Sequence, residues 1–461
     1  MVSISAFINS GLLLVGQSVF RGLASPQQAA TEQYNLIKFL GGSAPYIQSP
    51  GFGISTDFPE TCTIEQVQLL SRHGERYPTV NKGEAFEKII TKLGNTTETY
   101  SGSLAFLNSY EYFVTDKSQY ALETTPENSE GTYAGSINMS KHGAYFRNRY
   151  KSLFDDTQVL SVFTTNSNRV YHSSESFARG FLGNNYSEAN VKYSILDESG
   201  SLGINSLTPR YGCTSYDKSA NSELLKQIDR SYLTNILDRL KEDNPFLTID
   251  EEDVLNLFEF CAYEINVKSE SPFCNIFNTE DFNYYAYDND LDKYYSSGPG
   301  NNISEVIGSV YLNASLNLLK DEENSNKIWL SFTHDTDIDQ VISALGFFTK
   351  DEHLPLDRVD LERVYYHAYL VPQGARYYTE KLKCGEKFYV RYIINDSVHP
   401  IPECQSGPGF SCEFSEYENF INSRIGNINF VEQCQVPADA TQSLTFFWDY
   451  ESKNYTAELE L

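Results

Sequence analysis

The chain has 461 residues and a formal net charge of -27 at neutral pH, with 40% hydrophobic and 14% aromatic residues. That length and aromatic content suit a large packed domain carrying an inserted subdomain and exclude a disordered chain. The charge excludes nucleic acid and anionic membrane surfaces as partners, but not a small anionic substrate, because the field in a pocket follows the local arrangement of charge.

The N-terminal stretch "MVSISAFINSGLLLVGQSVFRGLASPQQ" combines a short apolar run with small residues around Gly22 and Ala24. It reads as a secretory signal over residues 1–24 that lacks a basic leader. No later segment approaches the length of a membrane span. Eight cysteines, an even number, suit a disulfide framework. Seven N-x-S/T sequons begin at Asn95, Asn138, Asn185, Asn302, Asn313, Asn395 and Asn454. Together these features point to a glycoprotein of the extracellular space or cell wall.

Downstream, three segments share one grammar: a strand-like run, a polar string, then a helical period. "IEQVQLL" (64–70) leads into "SRHGERYP" (71–78), and Phe86, Ile89, Ile90 and Leu93 then fall on one helical face, with Gly94 as a C-cap. "VLSVF" (159–163) leads into "TTNSNR", and "VYHSSESFARGF" follows as a helix. After a stretch over 221–268 that is helical by period, "IWLSF" (328–332) leads into "THDTD". Ile338, Val341, Ile342 and Leu345 continue at i, i+3, i+4, i+7. The C-terminal third returns to strand-like text, "KFYVRYII" and "SLTFFWDY". The expected fold is α/β, a mostly parallel sheet flanked by helices with an inserted, mainly helical subdomain. The sheet domain would take residues 34–80, 155–205 and 305–461, and the subdomain 81–154 and 206–304. In such sheets ligands bind beyond the carboxyl ends of the strands, where all three polar strings would lie.

Those strings hold the chemistry. The chain has no phosphate-loop, zinc-helix or nucleophile-elbow motif, no C-x-x-C pair, and no cysteine with an arginine six residues on. His73 stands between Arg72 and Arg76, with Arg169 and the His334–Asp335 pair at the other strand ends. Arginine is planar, permanently charged and bidentate, so the group reads as a cradle for a phosphoryl group. A neutral His73 imidazole inside it is a nucleophile whose protonation the arginines oppose. Asp335 is the candidate proton donor to a leaving alcohol. A lone Arg–His pair or a lone "HD" is more often structural, so it is the full string on a strand end that carries the reading. His142, His172, His353, His367 and His399 have no partners in sequence and read as structural.

"RHGERYPT" with the distal "HD" resembles the histidine acid phosphatases, in particular secreted yeast acid phosphatases and fungal phytases. "SPFCNIF" (271–277), "KYYSSGPGN" (293–301), "LVPQGARYYTEKLKC" (370–384) and "YVRYIINDSVHPIPEC" (389–404) extend the likeness over most of the chain. The resemblance implies hydrolysis of phosphomonoesters, phytate included, through a phosphohistidine on His73. Arg72, Arg76, Arg169 and His334 would grip the phosphoryl oxygens, Asp335 would protonate the leaving group, and no metal or cofactor would be needed. It implies a substrate contact at Lys293, although Asp292 stands where a second lysine can occur, and a specificity role for Glu75. It also implies the disulfides Cys62–Cys384, Cys213–Cys434, Cys261–Cys274 and Cys404–Cys412. A homo-oligomer stays open. A phosphomutase, which shares an "RHG" histidine, and a non-catalytic phosphate-binding glycoprotein are the competing readings; the signal and cysteines weigh against the first, and the intact His73 and Asp335 against the second.

Overall fold

The computed structural model describes residues 35–460, so the signal segment expected over 1–24 lies outside the described residues. Strand β1 (Cys62–Arg72) is buried from Val67 to its end, and β4 (Ile328–Thr333) is buried throughout. Central strands of a sheet covered on both faces are buried on both sides, so β4 is mostly apolar and β1 carries Gln66, Gln68 and Ser71 buried among its apolar residues. With β2 (Leu160–Thr165) and β3 (Val191–Leu196) they form the parallel half of an eight-stranded mixed sheet in the order β3-β2-β4-β1-β5-β6-β7. The other half is antiparallel: β5 (Arg376–Cys384) pairs with β1, β6 (Lys387–Ile394) with β5, and the short β7 (Ser397–His399) and β8 (Cys412–Glu413) with β6.

Register explains how distant strings meet. Arg72 lies opposite Thr333, Thr164 opposite Phe332, and Thr165 opposite Leu196. All four parallel strands therefore end on one level, and the residues that follow them emerge side by side. At the far end of β1, Cys62 lies opposite Cys384 and the two are bonded. The remaining cysteines pair as Cys213–Cys434, Cys261–Cys274 and Cys404–Cys412.

Helices cover both faces. Helices α1 (Gly135–Arg149) and α2 (Asn168–Leu182) pack Phe146, Phe177 and Phe181 onto Val162, Leu330 and Phe332. On the opposite face α3 (Ser304–Lys320), α4 (Asp335–Leu345) and α5 (Phe414–Ile425) pack Leu316, Ile342 and Ile421 around Leu70 and Tyr377. A separate apolar cluster, built from the helices Val80–Gly94, Ser231–Asp243 and Glu251–Lys268, sits beside the sheet and holds Phe86, Leu93, Ile236 and Phe258. The helix Gly135–Arg149, which the sequence reading placed with the inserted subdomain, packs on the sheet instead.

One element differs from its expectation. "SLTFFWDY" was expected as a strand, but Phe446–Asp449 is a helical turn. Asn205 accepts hydrogen bonds from the Thr445 and Phe446 amides, and Phe446 and Phe447 pack on Phe163. A short apolar run has no period that separates helix from strand, and here a distant asparagine decides. Among the described residues no helix is long and apolar enough to cross a membrane.

Candidate active site

The level end of the parallel strands gathers His73, Arg72, Arg76, Arg169, His334 and Asp335. Arg169 lies in the first turn of α2 and Asp335 opens α4, so two helix N-termini add positive potential to the cluster.

Arg72 is 1% exposed. Its Nη1 donates to the Gly42 and Val371 carbonyls at 2.6 and 2.7 Å, and its Nη2 lies 3.3 Å from Asp335 Oδ2. Arg76 donates to its neighbour's carbonyl (Tyr77 O, 2.8 Å) and stacks over the Tyr263 ring. The Nε–H groups of Arg72, Arg76 and Arg169 are all buried and have no partner among the described residues. Buried donors of this kind are costly unless an acceptor meets them, and an anion in the cradle would serve all three arginines.

His73 is buried at 1% exposure, with Nδ1 2.8 Å from the Gly74 carbonyl. A carbonyl only accepts, so Nδ1 carries the proton and Nε2 presents its lone pair. Burial, and then the charges of Arg72, Arg169 and Arg76, push the imidazole well below its ordinary pKa. The ring therefore resists protonation in acid, as a nucleophile requires. Its centroid is 5.9 Å from that of His334.

His334 is oriented by a residue that the sequence reading missed. Its Nε2 lies 2.5 Å from Glu198 Oε1, and its Nδ1 lies 3.4 Å from Arg169 Nη2. Burial lowers the pKa of His334 to about 4 despite the carboxylate. Burial would raise Glu198, but His334, Thr165 and Arg210 together bring the carboxyl down to about 2. Glu198 stands just past β3, on the same level as the other strand ends, and no motif marks it. Asp335 is pulled both ways: burial raises its pKa, while Arg72, Lys293 and His367 together bring it well below the ordinary value.

Lys293 faces Asp335 and pairs with Asp292 at 3.9 Å. The exposed Lys218, also unforeseen, stands near enough for the charge of Lys293 to lower its pKa. Glu75 lies elsewhere. Fully buried, it accepts at 2.9 Å from both the Tyr46 amide and Asn138 Nδ2, on the rear of the loop, and so acts as a structural carboxyl. Of the other histidines, His367 lies within reach of Asp339 Oδ2 (3.4 Å), beneath Arg72, and His142 bonds Tyr378.

The sequons divide. Asn95, Asn185, Asn302, Asn313 and Asn454 are exposed. Asn395 is buried with its amide donating to the Tyr369 and Leu370 carbonyls, and the half-buried Asn138 spends its amide on Glu75.

The sequence profile of the histidine phosphatase superfamily (branch 2) matches residues 63–395, the span from β1 to the end of β6. The chain belongs to that superfamily. It is 54% identical to the phytase PHO112 of Candida albicans over the whole of both chains. It is 38% identical to the acid phosphatase PHO11 of Saccharomyces cerevisiae, covering 99% of this chain and 97% of that one. Among solved structures, the phytase from D. castellii superposes with a TM-score of 0.91 at 52% identity, covering 96% of this chain and 97% of that one. Each of these three relatives matches at least 96% of this chain.

Proposed function

We propose that this histidine phosphatase is a secreted acid phosphatase that hydrolyses phosphomonoesters, phytate among them, through a phosphohistidine on His73. The observation that carries the reading is the His73 tautomer: Nδ1–H is tied to Gly74, and the free Nε2 lone pair sits among three arginines. In the first step Nε2 attacks phosphorus, the P–N bond forms, and the P–O ester bond breaks. Arg72, Arg76, Arg169 and His334 hold the non-bridging oxygens and stabilise their charge. The Asp335 carboxyl gives its proton to the departing alkoxide. In the second step a water attacks phosphorus and passes a proton to the Asp335 carboxylate, the P–N bond breaks, and orthophosphate leaves. No step requires a metal or cofactor.

The low pKa of resting Asp335 fits a proton donor once substrate is considered. Its depression comes chiefly from Arg72 and Lys293. A phosphate dianion between those cations cancels their field, so substrate binding itself raises the carboxyl and loads it with the proton it delivers. Lys293 and Lys218 at the mouth suit a substrate with more than one phosphate. The names of the relatives and the five exposed sequons support phytate as a substrate and secretion, respectively.

The test is phosphate release between pH 3 and 6 with EDTA present, from p-nitrophenyl phosphate and from phytate, by wild type and His73→Ala. Turnover of both substrates by wild type and of neither by the variant is expected. Full activity in His73→Ala would refute the mechanism.

A further inference from the structure

Behind the catalytic loop lies a buried polar chain that the mechanism above does not use. The Gly74 amide donates to Ser173 Oγ at 2.8 Å, and Ser173 Oγ donates to Glu123 Oε1 at 2.6 Å. Ser173 and Glu123 are 0% and 5% exposed. Glu123 comes from an irregular segment far from the loop in sequence, and backbone bonds lock that segment against it. The Tyr77 amide donates to Leu122, the Thr124 amide and hydroxyl both donate to Glu75 O, and the Gly135 amide donates to the Thr124 hydroxyl. Two glycines permit the close fit. A Cβ on Gly135 would stand 2.3 Å from Glu75 O, and one on Gly74 would stand 3.0 Å from Glu123 Oε1.

A buried carboxyl at such a place needs a reason. Among the described residues no lysine or arginine pairs with it: its neighbours are the Ser173 and Ser176 hydroxyls and the carboxylates of Glu75 and Glu175. It therefore makes no ion pair, and what it does hold is the hydroxyl that holds Gly74. The carbonyl of that same glycine fixes the His73 ring. Rotation of the Gly74 unit would swing the carbonyl away from Nδ1 and free the imidazole to turn or change tautomer. On the other side the Gly374 amide donates to His73 O at 2.7 Å, so the His73–Gly74 peptide, which leads directly into the Gly74 carbonyl, is held at both its C=O and its N–H.

We propose that Glu123 and Ser173 form a positioning relay for the nucleophile, holding Gly74 so that its carbonyl keeps the His73 imidazole in the attacking tautomer. Neither residue touches substrate. The relay rests on the reading of His73 as the nucleophile.

Because the arginines are untouched, loss of the relay lowers kcat and leaves KM nearly alone. With p-nitrophenyl phosphate, Ser173→Ala and Glu123→Ala should each lose about 10- to 100-fold in kcat with KM changed by less than about 2-fold. The double variant should be no worse than the poorer single one, since one chain is broken once. Glu123→Gln still offers Ser173 an acceptor oxygen and should recover kcat to within about 3-fold of wild type. Thermal melts confirm folding, and if Glu123→Ala fails to fold, Ser173→Ala and Glu123→Gln alone decide. The proposal is overturned by wild-type kcat in Ser173→Ala, by a loss that appears in KM, by multiplying effects in the double variant, or by Glu123→Gln as impaired as Ser173→Ala. If His73→Ala is inactive while Ser173→Ala is normal, only the relay fails. If His73→Ala is active, the proposed chemistry fails with it.

Discussion

Replacing Glu123 by glutamine should make the protein progressively more stable relative to wild type as the pH rises from acid to neutral. Burial, aided by the charge of Glu75, pushes the Glu123 carboxyl from the ordinary value near 4.5 up to about 8. The folded state therefore keeps a proton that the unfolded chain gives up once the pH exceeds about 4.5. This carboxyl costs nothing below the unfolded pKa, and stability falls as pH rises from there until the folded pKa is reached. At about 1.4 kcal/mol per pH unit the window corresponds to roughly 5 kcal/mol, and partial opening of the site at high pH would reduce this to about 2–4 kcal/mol. Glu264, raised to about 7, and Asp337, raised to about 6, act in the same direction. Glu198 and Glu175, both held at about 2, act oppositely and lose their contribution as the pH falls below about 4. The assay is urea unfolding of wild type and Glu123→Gln at intervals from pH 4 to 8. The glutamine variant should gain on wild type steadily across that range, whatever fixed offset its amide introduces. A difference that does not change with pH would refute the reasoning.

Three further outcomes follow from the site. Binding of sulfate, an anion that cannot be hydrolysed, should take up protons at pH 5 as the Asp335 carboxyl rises, measurable by calorimetry in buffers of different ionisation enthalpy. Asp335→Asn should abolish that uptake, and an unchanged uptake would assign it to His334 instead. Lys218→Ala and Lys293→Ala should each raise KM for phytate by about 3- to 10-fold with little effect on p-nitrophenyl phosphate, since a lysine–phosphate pair at a partly solvated mouth contributes about 1 kcal/mol; equal effects on both substrates would remove the lysines from the polyphosphate site. Peptide mapping of the protein expressed through a secretory pathway should find glycan among Asn95, Asn185, Asn302, Asn313 and Asn454 and none on Asn395, whose amide is buried and doubly bonded. A glycan on Asn395 would contradict the packing of the β6–β7 turn.

The sheet and the cradle were legible because strand, motif and helix recur three times and each motif falls on a strand end. Register then brings them to one level without further information. The rest of the site was not legible for a common reason. Glu198, Lys218, Glu123 and Ser173 carry no local pattern, and the loops and helices that place them are set by packing against distant elements. Glu198 could have been suspected as a carboxylate just past a fourth strand-like run. Glu75, for which the resemblance implies a specificity role, is turned to the rear of the loop, where it accepts from the Tyr46 amide and Asn138. "SLTFFWDY" failed as a strand because an eight-residue apolar run has no decisive period, and Asn205, more than two hundred residues away, caps it as a turn.

The central claim is the covalent intermediate on His73, and rapid acid-free quenching of the enzyme with 32P-labelled p-nitrophenyl phosphate tests it most directly. The account predicts label on the protein within a turnover, stable to base and labile to acid, mapped to the peptide 71–78 and absent from His73→Ala. Label on any other residue, or full turnover with no labelled protein at any time, would contradict it.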